Sequence, residues 1–255
     1  MAAPVAVAVL GARGRMGATV CRAVGSAPDL DLVAALDRAD GTADPAAAAA
    51  GSGARVAVDF TTPAAVLGNI ATLVGAGMHV VVGTSGFDQG RLDAVRGLLA
   101  DAPGVGVLVV PNFALGAVLM MRFAREAARF YESVEVIELH HPDKVDAPSG
   151  TAVSTAELIG RARAAAGLGD VPDATASGPA GARGARIAGV PVHSVRLRGL
   201  VAHQEVLFGG PGETLTVRHD SLDRESFMPG VLLGIRAVGD RPGLTVGLEP
   251  LLDLG

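Results

Sequence analysis

The stretch PVAVAVLGARGRMG, residues 4–17, decides the fold. Its first half, 4–10, is an apolar, β-branched run that stops at Gly11, as a buried strand does. Its second half, Gly11-Ala12-Arg13-Gly14-Arg15-Met16-Gly17, spaces glycines as G-x-x-G-x-x-G just before a helical pattern over 16–24. Small residues there let the backbone approach a diphosphate, whose charge a helix N-terminus stabilises, and Arg13 and Arg15 add cations beside it. Asp37 ends a second apolar strand, 30–36, where an acid accepts hydrogen bonds from ribose hydroxyls. Glycines can merely turn a strand into a helix, but loop, context and acid together point to a dinucleotide. Asp37 suits NADH, while Arg38 beside it suits the 2′-phosphate of NADPH, so both cofactors are expected.

Working outward, strands over 55–60, 79–82 and 106–110 alternate with helices over 62–75 and 88–100. That rhythm predicts an α/β, Rossmann-like, doubly wound parallel sheet. Gly83-Thr84-Ser85 follows the fourth strand and Val110-Pro111-Asn112-Phe113 ends the fifth, on the carboxyl edge where such sheets bind ligands. Residues 39–54 are rich in Ala, Gly and Asp and read as a loop with one helical turn. Past residue 114 the rhythm changes. Helices are predicted over 117–131, 151–166 and 224–238, strands over 134–139, 192–198, 203–208 and 214–219, and a long loop over 167–190. A second, α+β domain with an antiparallel or mixed sheet follows, packed closely on the first rather than tethered to it.

Composition narrows the function. The chain has 255 residues, a net charge of −5 and a pI near 5.7, against a general nucleic-acid or membrane-surface binder. Trp is absent and Tyr occurs once, so stacking platforms for single strands are lacking. The lone Cys21 forms no internal disulfide and, with no charged segment before the N-terminal apolar run and no membrane-length span, implies a soluble, cytoplasmic protein. Of the 21 basic residues only Lys144 is not Arg.

Lys144 falls in the densest chemistry of the chain, Glu138-Leu-His140-His141-Pro-Asp-Lys144-Val-Asp-Ala-Pro-Ser149-Gly150-Thr151. Two adjacent histidines and the lysine follow a strand, and Ser149-Gly150-Thr151 opens a helix whose N–H groups and hydroxyls suit a carboxylate. Such a cluster fits a small di-anionic substrate, with His or Lys supplying a proton. A metal site is not expected, because adjacent histidines cannot easily share one ion and no Cys lies nearby. A solvated turn before a capped helix is the plain alternative.

The segments GARGRMG (11–17), DFT (59–61), GTSGF (83–87), PNFALG (111–116), ELHHPDKVDAPSGTA (138–152) and RHDSLDRESF (218–227) together resemble the dihydrodipicolinate reductase family, in order and over nearly the whole chain. The resemblance implies a Rossmann domain of residues 1–114 with 224–255, and a substrate-binding and oligomerisation domain of 115–223. It implies that His140 and Lys144 are the acid–base pair, that His141, Gly150 and Thr151 bind a substrate carboxylate, and that the assembly is a homotetramer. NADH or NADPH then reduces a cyclic imine dicarboxylate, with the nicotinamide near Gly83–Ser85 and Asn112. Two other readings remain open: a different two-domain dehydrogenase, and a regulator that binds NAD(P) without turning it over.

Overall fold

Val7 to Leu10 are wholly buried in the first strand, β1 (Val5–Leu10), as a parallel strand covered on both faces requires. In the computed structural model, which describes residues 3–253, β1 leads into α1 (Arg15–Ser26) and β2 (Leu30–Leu36). Then come α2 (Pro45–Ala50), β3 (Val56–Asp59), α3 (Val66–Gly75), β4 (His79–Val82), α4 (Gln89–Ala100) and β5 (Gly106–Val109). The chain continues through α5 (Leu115–Ala127), β6 (Ser133–His140), α6 (Gly150–Ala165), β7 (Ala185–Ile187), β8 (Val190–Arg196), β9 (Ala202–Gly210) and β10 (Glu213–Ser221). It ends with α7 (Met228–Ala237) and β11 (Gly243–Val246). Two compact units result: the chain up to Leu115 together with Phe227 onward, and Gly116–Ser226.

The first unit holds a six-stranded parallel sheet in the order β11-β5-β4-β3-β1-β2. Its core joins Ala8, Leu10, Ile70, Leu73, Val80, Val82 and Val95. Each fully buried Val, Leu or Ile side chain among them contributes about 1.5–3 kcal/mol. The sequence predicts five strands here, and β11 corrects it. Gly243 pairs with Gly106 and Val246 with Val109 in parallel register. The strand is half-exposed at the sheet's edge and only four residues long, so it carries neither a buried run nor an alternation.

Three further differences have local causes. Residues 39–54 contain α2, because Asp44 accepts from the N–H groups of Ala46 and Ala47 and Pro45 sits at the first helical position. The long loop expected over 167–190 carries the short strand β7, paired antiparallel to β8. The closing helix starts at Met228 rather than residue 224, after a 3-10 turn over Arg224–Phe227.

The second unit holds a mixed sheet in the order β10-β9-β6-β8-β7, in which only β6 and β8 run parallel. Along β6, buried Val134, Val136 and Glu138 alternate with half-buried Ser133, Glu135 and Ile137. The buried face packs with Ala124 of α5 and with Ala152, Ala156 and Ile159 of α6. Glu138 is thus a carboxylate placed at a position the strand period reserves for the core.

Candidate active site

The phosphate loop needs its glycines for measurable reasons. Gly11 has φ of +77°, and a Cβ on it would meet the Phe60 carbonyl oxygen at 2.6 Å. A Cβ on Gly17 would lie 2.0 Å from the Gly11 carbonyl oxygen. Gly14 occupies the N-cap of α1 with no side-chain cap, so the first-turn N–H groups of that helix suit an anion.

Beside the loop lies a cavity of about 340 Å³ lined by Gly11, Gly14, Asp37, Arg38, Phe60 and Asn69, among others. Small loop residues, a helix N-terminus and an acid at the rim fit an NAD(P) dinucleotide. Asp37 Oδ2 accepts the Arg13 N–H at 3.0 Å and Oδ1 accepts the Ala39 N–H at 2.9 Å. The Arg13 guanidinium pairs with Asp40, whereas Arg15 and Arg38 stand at the starts of α1 and the 3-10 turn after β2.

Sequence reasoning missed the wall behind this cavity. Fully buried Asp59 accepts from the Thr61 N–H at 2.8 Å, the Thr61 hydroxyl at 2.6 Å, Asn69 Nδ2 at 2.7 Å and the Thr84 hydroxyl at 3.1 Å. The Thr84 side chain is therefore turned inward, leaving exposed Ser85 and the Gly83 backbone on the strand end. The Phe60 ring lies where a Gly83 side chain would go and tilts against Phe113, with centroids 5.6 Å apart. Val110 donates its N–H to the Val82 carbonyl at 2.9 Å, and Asn112 Oδ1 accepts from the Ala114 N–H at 2.9 Å, while Pro111 is exposed between them. The DFT segment is the one sequence signal that pointed to Asp59 and Phe60.

In the second unit the cationic segment gathers around Glu138. His140 ends β6, and its Nδ1 lies 2.5 Å from Glu138 Oε2. Arg196, at the end of β8 and in register with His140, donates Nη1 to Oε2 and Nη2 to Oε1, each at 2.8 Å. Ser149 donates its N–H to Oε1 at 3.1 Å, and its hydroxyl caps α6 by accepting from Ala152 N–H at 3.2 Å. Gly150 and Thr151 form the first turn of α6. His141 is half-buried beside His140.

Burial opposes ionisation of Glu138, yet the bonds from Arg196, Ser194 and His140 outweigh it and hold the carboxyl below its usual range. Burial pulls the His140 imidazole below its usual range, assisted by the charges of Lys144 and Arg196 and opposed by Glu138. Burial thus favours the neutral imidazole. Lys144 pairs with a carboxylate: its Nζ lies 2.6 Å from Asp146 Oδ1. That bond holds the Asp146 carboxyl below its usual range. Among the described residues, no three His, Cys, Asp or Glu side chains gather to hold a metal ion.

Residues 5–113 match the family description "Dihydrodipicolinate reductase, N-terminus" and residues 116–252 match "Dihydrodipicolinate reductase, C-terminus". The chain belongs to the dihydrodipicolinate reductase family. Among its relatives, a 4-hydroxy-tetrahydrodipicolinate reductase of Nocardia farcinica is 63% identical over 97% of this chain and 98% of its own length. The corresponding reductase of Streptomyces coelicolor is 60% identical over the same shares. A dipicolinate-bound dihydrodipicolinate reductase from Paenisporosarcina sp. TG-14 superposes with a TM-score of 0.86 at 37% identity, covering 98% of this chain and all of its own. The glycine loop lies in the first compact unit and the His-His-Lys segment in the second.

Proposed function

We infer that this chain is an NAD(P)H-dependent reductase of 4-hydroxy-tetrahydrodipicolinate, acting in diaminopimelate and lysine biosynthesis. The observation that carries the reading is the second unit's cluster, in which His140, Arg196 and the Ser149 N–H at the start of α6 converge on the buried Glu138 carboxylate, while Lys144 pairs with Asp146 in the loop between β6 and α6. Full-length relatives bearing that activity's name support it, and the dipicolinate-bound neighbour supports a ring dicarboxylate as the ligand class.

Gly11, Ala12, Gly14 and Met16 would admit the cofactor's diphosphate, with Arg15 and Arg13 as counter-charges and Asp37 or Arg38 meeting the ribose end. Gly83, Thr84, Ser85 and Val110 to Phe113 would hold the nicotinamide half. NADH or NADPH supplies a hydride when bound. His141, Ser149, Gly150 and Thr151 bind a substrate carboxylate, Ser149 by fixing the helix start rather than by its hydroxyl. His140 or Lys144 delivers the proton that completes reduction of the ring, and water leaves first where the substrate is hydroxylated.

A cytoplasmic setting is supported by the single cysteine; among the described residues no helix is long and apolar enough to cross a membrane. A homotetramer is supported by the sheet face on which half-buried Ile137 and Leu139 share a side with exposed Leu207. Light scattering of the purified chain measures that assembly directly.

The activity is tested by following NADH and NADPH absorbance while the product of the preceding synthase is supplied. Oxidation dependent on that product is expected. Cofactor binding without oxidation would make the chain a regulator, and oxidation with a different oxo- or amino-acid alone would make it another dehydrogenase.

A further inference from the structure

Glu138 is the most enclosed ionisable group near the cationic segment, with no exposed surface, and the chemistry above gives it no part. Its oxygens are fully engaged: Oε1 receives Arg196 Nη2 and the Ser149 N–H, and Oε2 receives Arg196 Nη1. An ionised carboxylate only accepts hydrogen bonds, so the 2.5 Å contact with His140 requires the hydrogen on Nδ1. A neutral imidazole with Nδ1–H has its lone pair on Nε2.

We propose that Glu138 is the positioning residue of this active site: it keeps the His140 hydrogen on Nδ1, so that Nε2 is the atom that takes a proton from solvent and passes it to the substrate, while Arg196 holds Glu138. The proposal rests on the acid–base reading of His140. It extends to substrate binding, because the same carboxylate fixes the Ser149 N–H, and with it the start of α6, to the end of β6. Arg196 Nε is buried with no partner and its Nη2 also donates to the Asp146 carbonyl at 2.6 Å, so the guanidinium is committed to the cluster's framework rather than to solvent. The charged groups facing His140 are Glu138 on its own strand, Arg196 on β8 and Lys144 in the following loop; its β9 partner is the uncharged Ala202. This division of labour, a proton carrier oriented by a third group that does not react, recurs in nucleophile–base–acid sets.

The test compares the wild-type chain with Glu138→Gln, Glu138→Asp, His140→Gln and the Glu138→Gln/His140→Gln double variant. Long-range proton–nitrogen NMR reads the His140 tautomer, NADH binding reads the fold, and steady-state kinetics reads kcat and KM. The wild type should show Nδ1–H, and an Nε2–H signal there would overturn the proposal without any variant. In Glu138→Gln the amide NH2 can donate to Nδ1, so the tautomer should reverse and kcat should fall about 10²-fold, within the range for a general acid–base group. The alkaline limb of kcat/KM, where the proton donor is lost, should also move to lower pH, since the charge that favours the imidazolium is gone. Glu138→Asp keeps the Arg196 pair but draws back from Nδ1, giving a mixed tautomer, and serves if the Gln variant does not fold.

If Glu138 acts through His140, the double variant should be no slower than His140→Gln alone. A double variant slower than both, with the tautomer unchanged in Glu138→Gln, would make Glu138 purely structural. Wild-type kcat in His140→Gln would sink the acid–base reading itself, a different result from either.

Discussion

Arg13 donates its backbone N–H to Asp37 Oδ2 at 3.0 Å, tying the phosphate loop to the end of β2. The acid that would meet the ribose also sets the loop that would meet the diphosphate, so the two halves of the cofactor site are mechanically one. Asp37 and Arg38 favour opposite cofactors side by side, and kcat/KM for NADH and NADPH should agree within about tenfold. Asp37→Ala should raise the Kd of NADH about tenfold and that of NADPH less, which titration of each cofactor measures. A larger loss for NADPH would place Asp37 away from the ribose.

The Arg13 side chain faces the other way, onto Asp40. To reach a 2′-phosphate its guanidinium must leave that carboxylate. Asp40→Asn should therefore improve NADPH affinity by about three- to tenfold and leave NADH within about twofold, an exposed pair being easily traded. Equal gains for both cofactors would put Arg13 at the diphosphate instead.

Gly17→Ala is the most direct probe of the loop. Its Cβ would stand 2.0 Å from the Gly11 carbonyl oxygen, a backbone atom that cannot swing aside as a side chain could. We expect a stability loss of about 1–3 kcal/mol by overpacking, together with at least a tenfold weaker grip on NADH, about 1.4 kcal/mol. Denaturant unfolding and cofactor titration check the two parts; an unaltered Kd would show that the loop does not contact the dinucleotide.

The difference between what the sequence made legible and what it hid is physical. Strand β1, its loop and α1 could be read because local rules agree there: an apolar run, glycines where backbone crowds backbone, and a helical period behind them. The His-His-Lys segment could be read because its chemistry is contiguous. Arg196 could not, since it reaches Glu138 from 58 residues away through the parallel pairing of β6 and β8. Helix α2 had a signal, Asp44-Pro45 before an alanine run, that the segment's Ala, Gly and Asp content masked. Lys144 Nζ meets the carboxylate of Asp146, two residues on, a pairing that residue type and spacing alone do not fix.

That pair sharpens the test of Lys144. Lys144→Arg keeps the charge, and a guanidinium can still bond Asp146, so the loop and the cofactor unit should be preserved: unfolding and the Kd for NADH should match the wild type. What Arg cannot do is release a proton at any accessible pH, and its planar fork does not fit where a compact ammonium meets a ring nitrogen or carboxylate. If Lys144 donates the proton, kcat should fall about 10²–10⁴-fold with KM little changed. If it only attracts the substrate's carboxylates, KM should rise and kcat should hold. Steady-state kinetics of this one variant separates the two, and a kcat within a few-fold of wild type would leave His140, oriented by Glu138, as the sole proton donor.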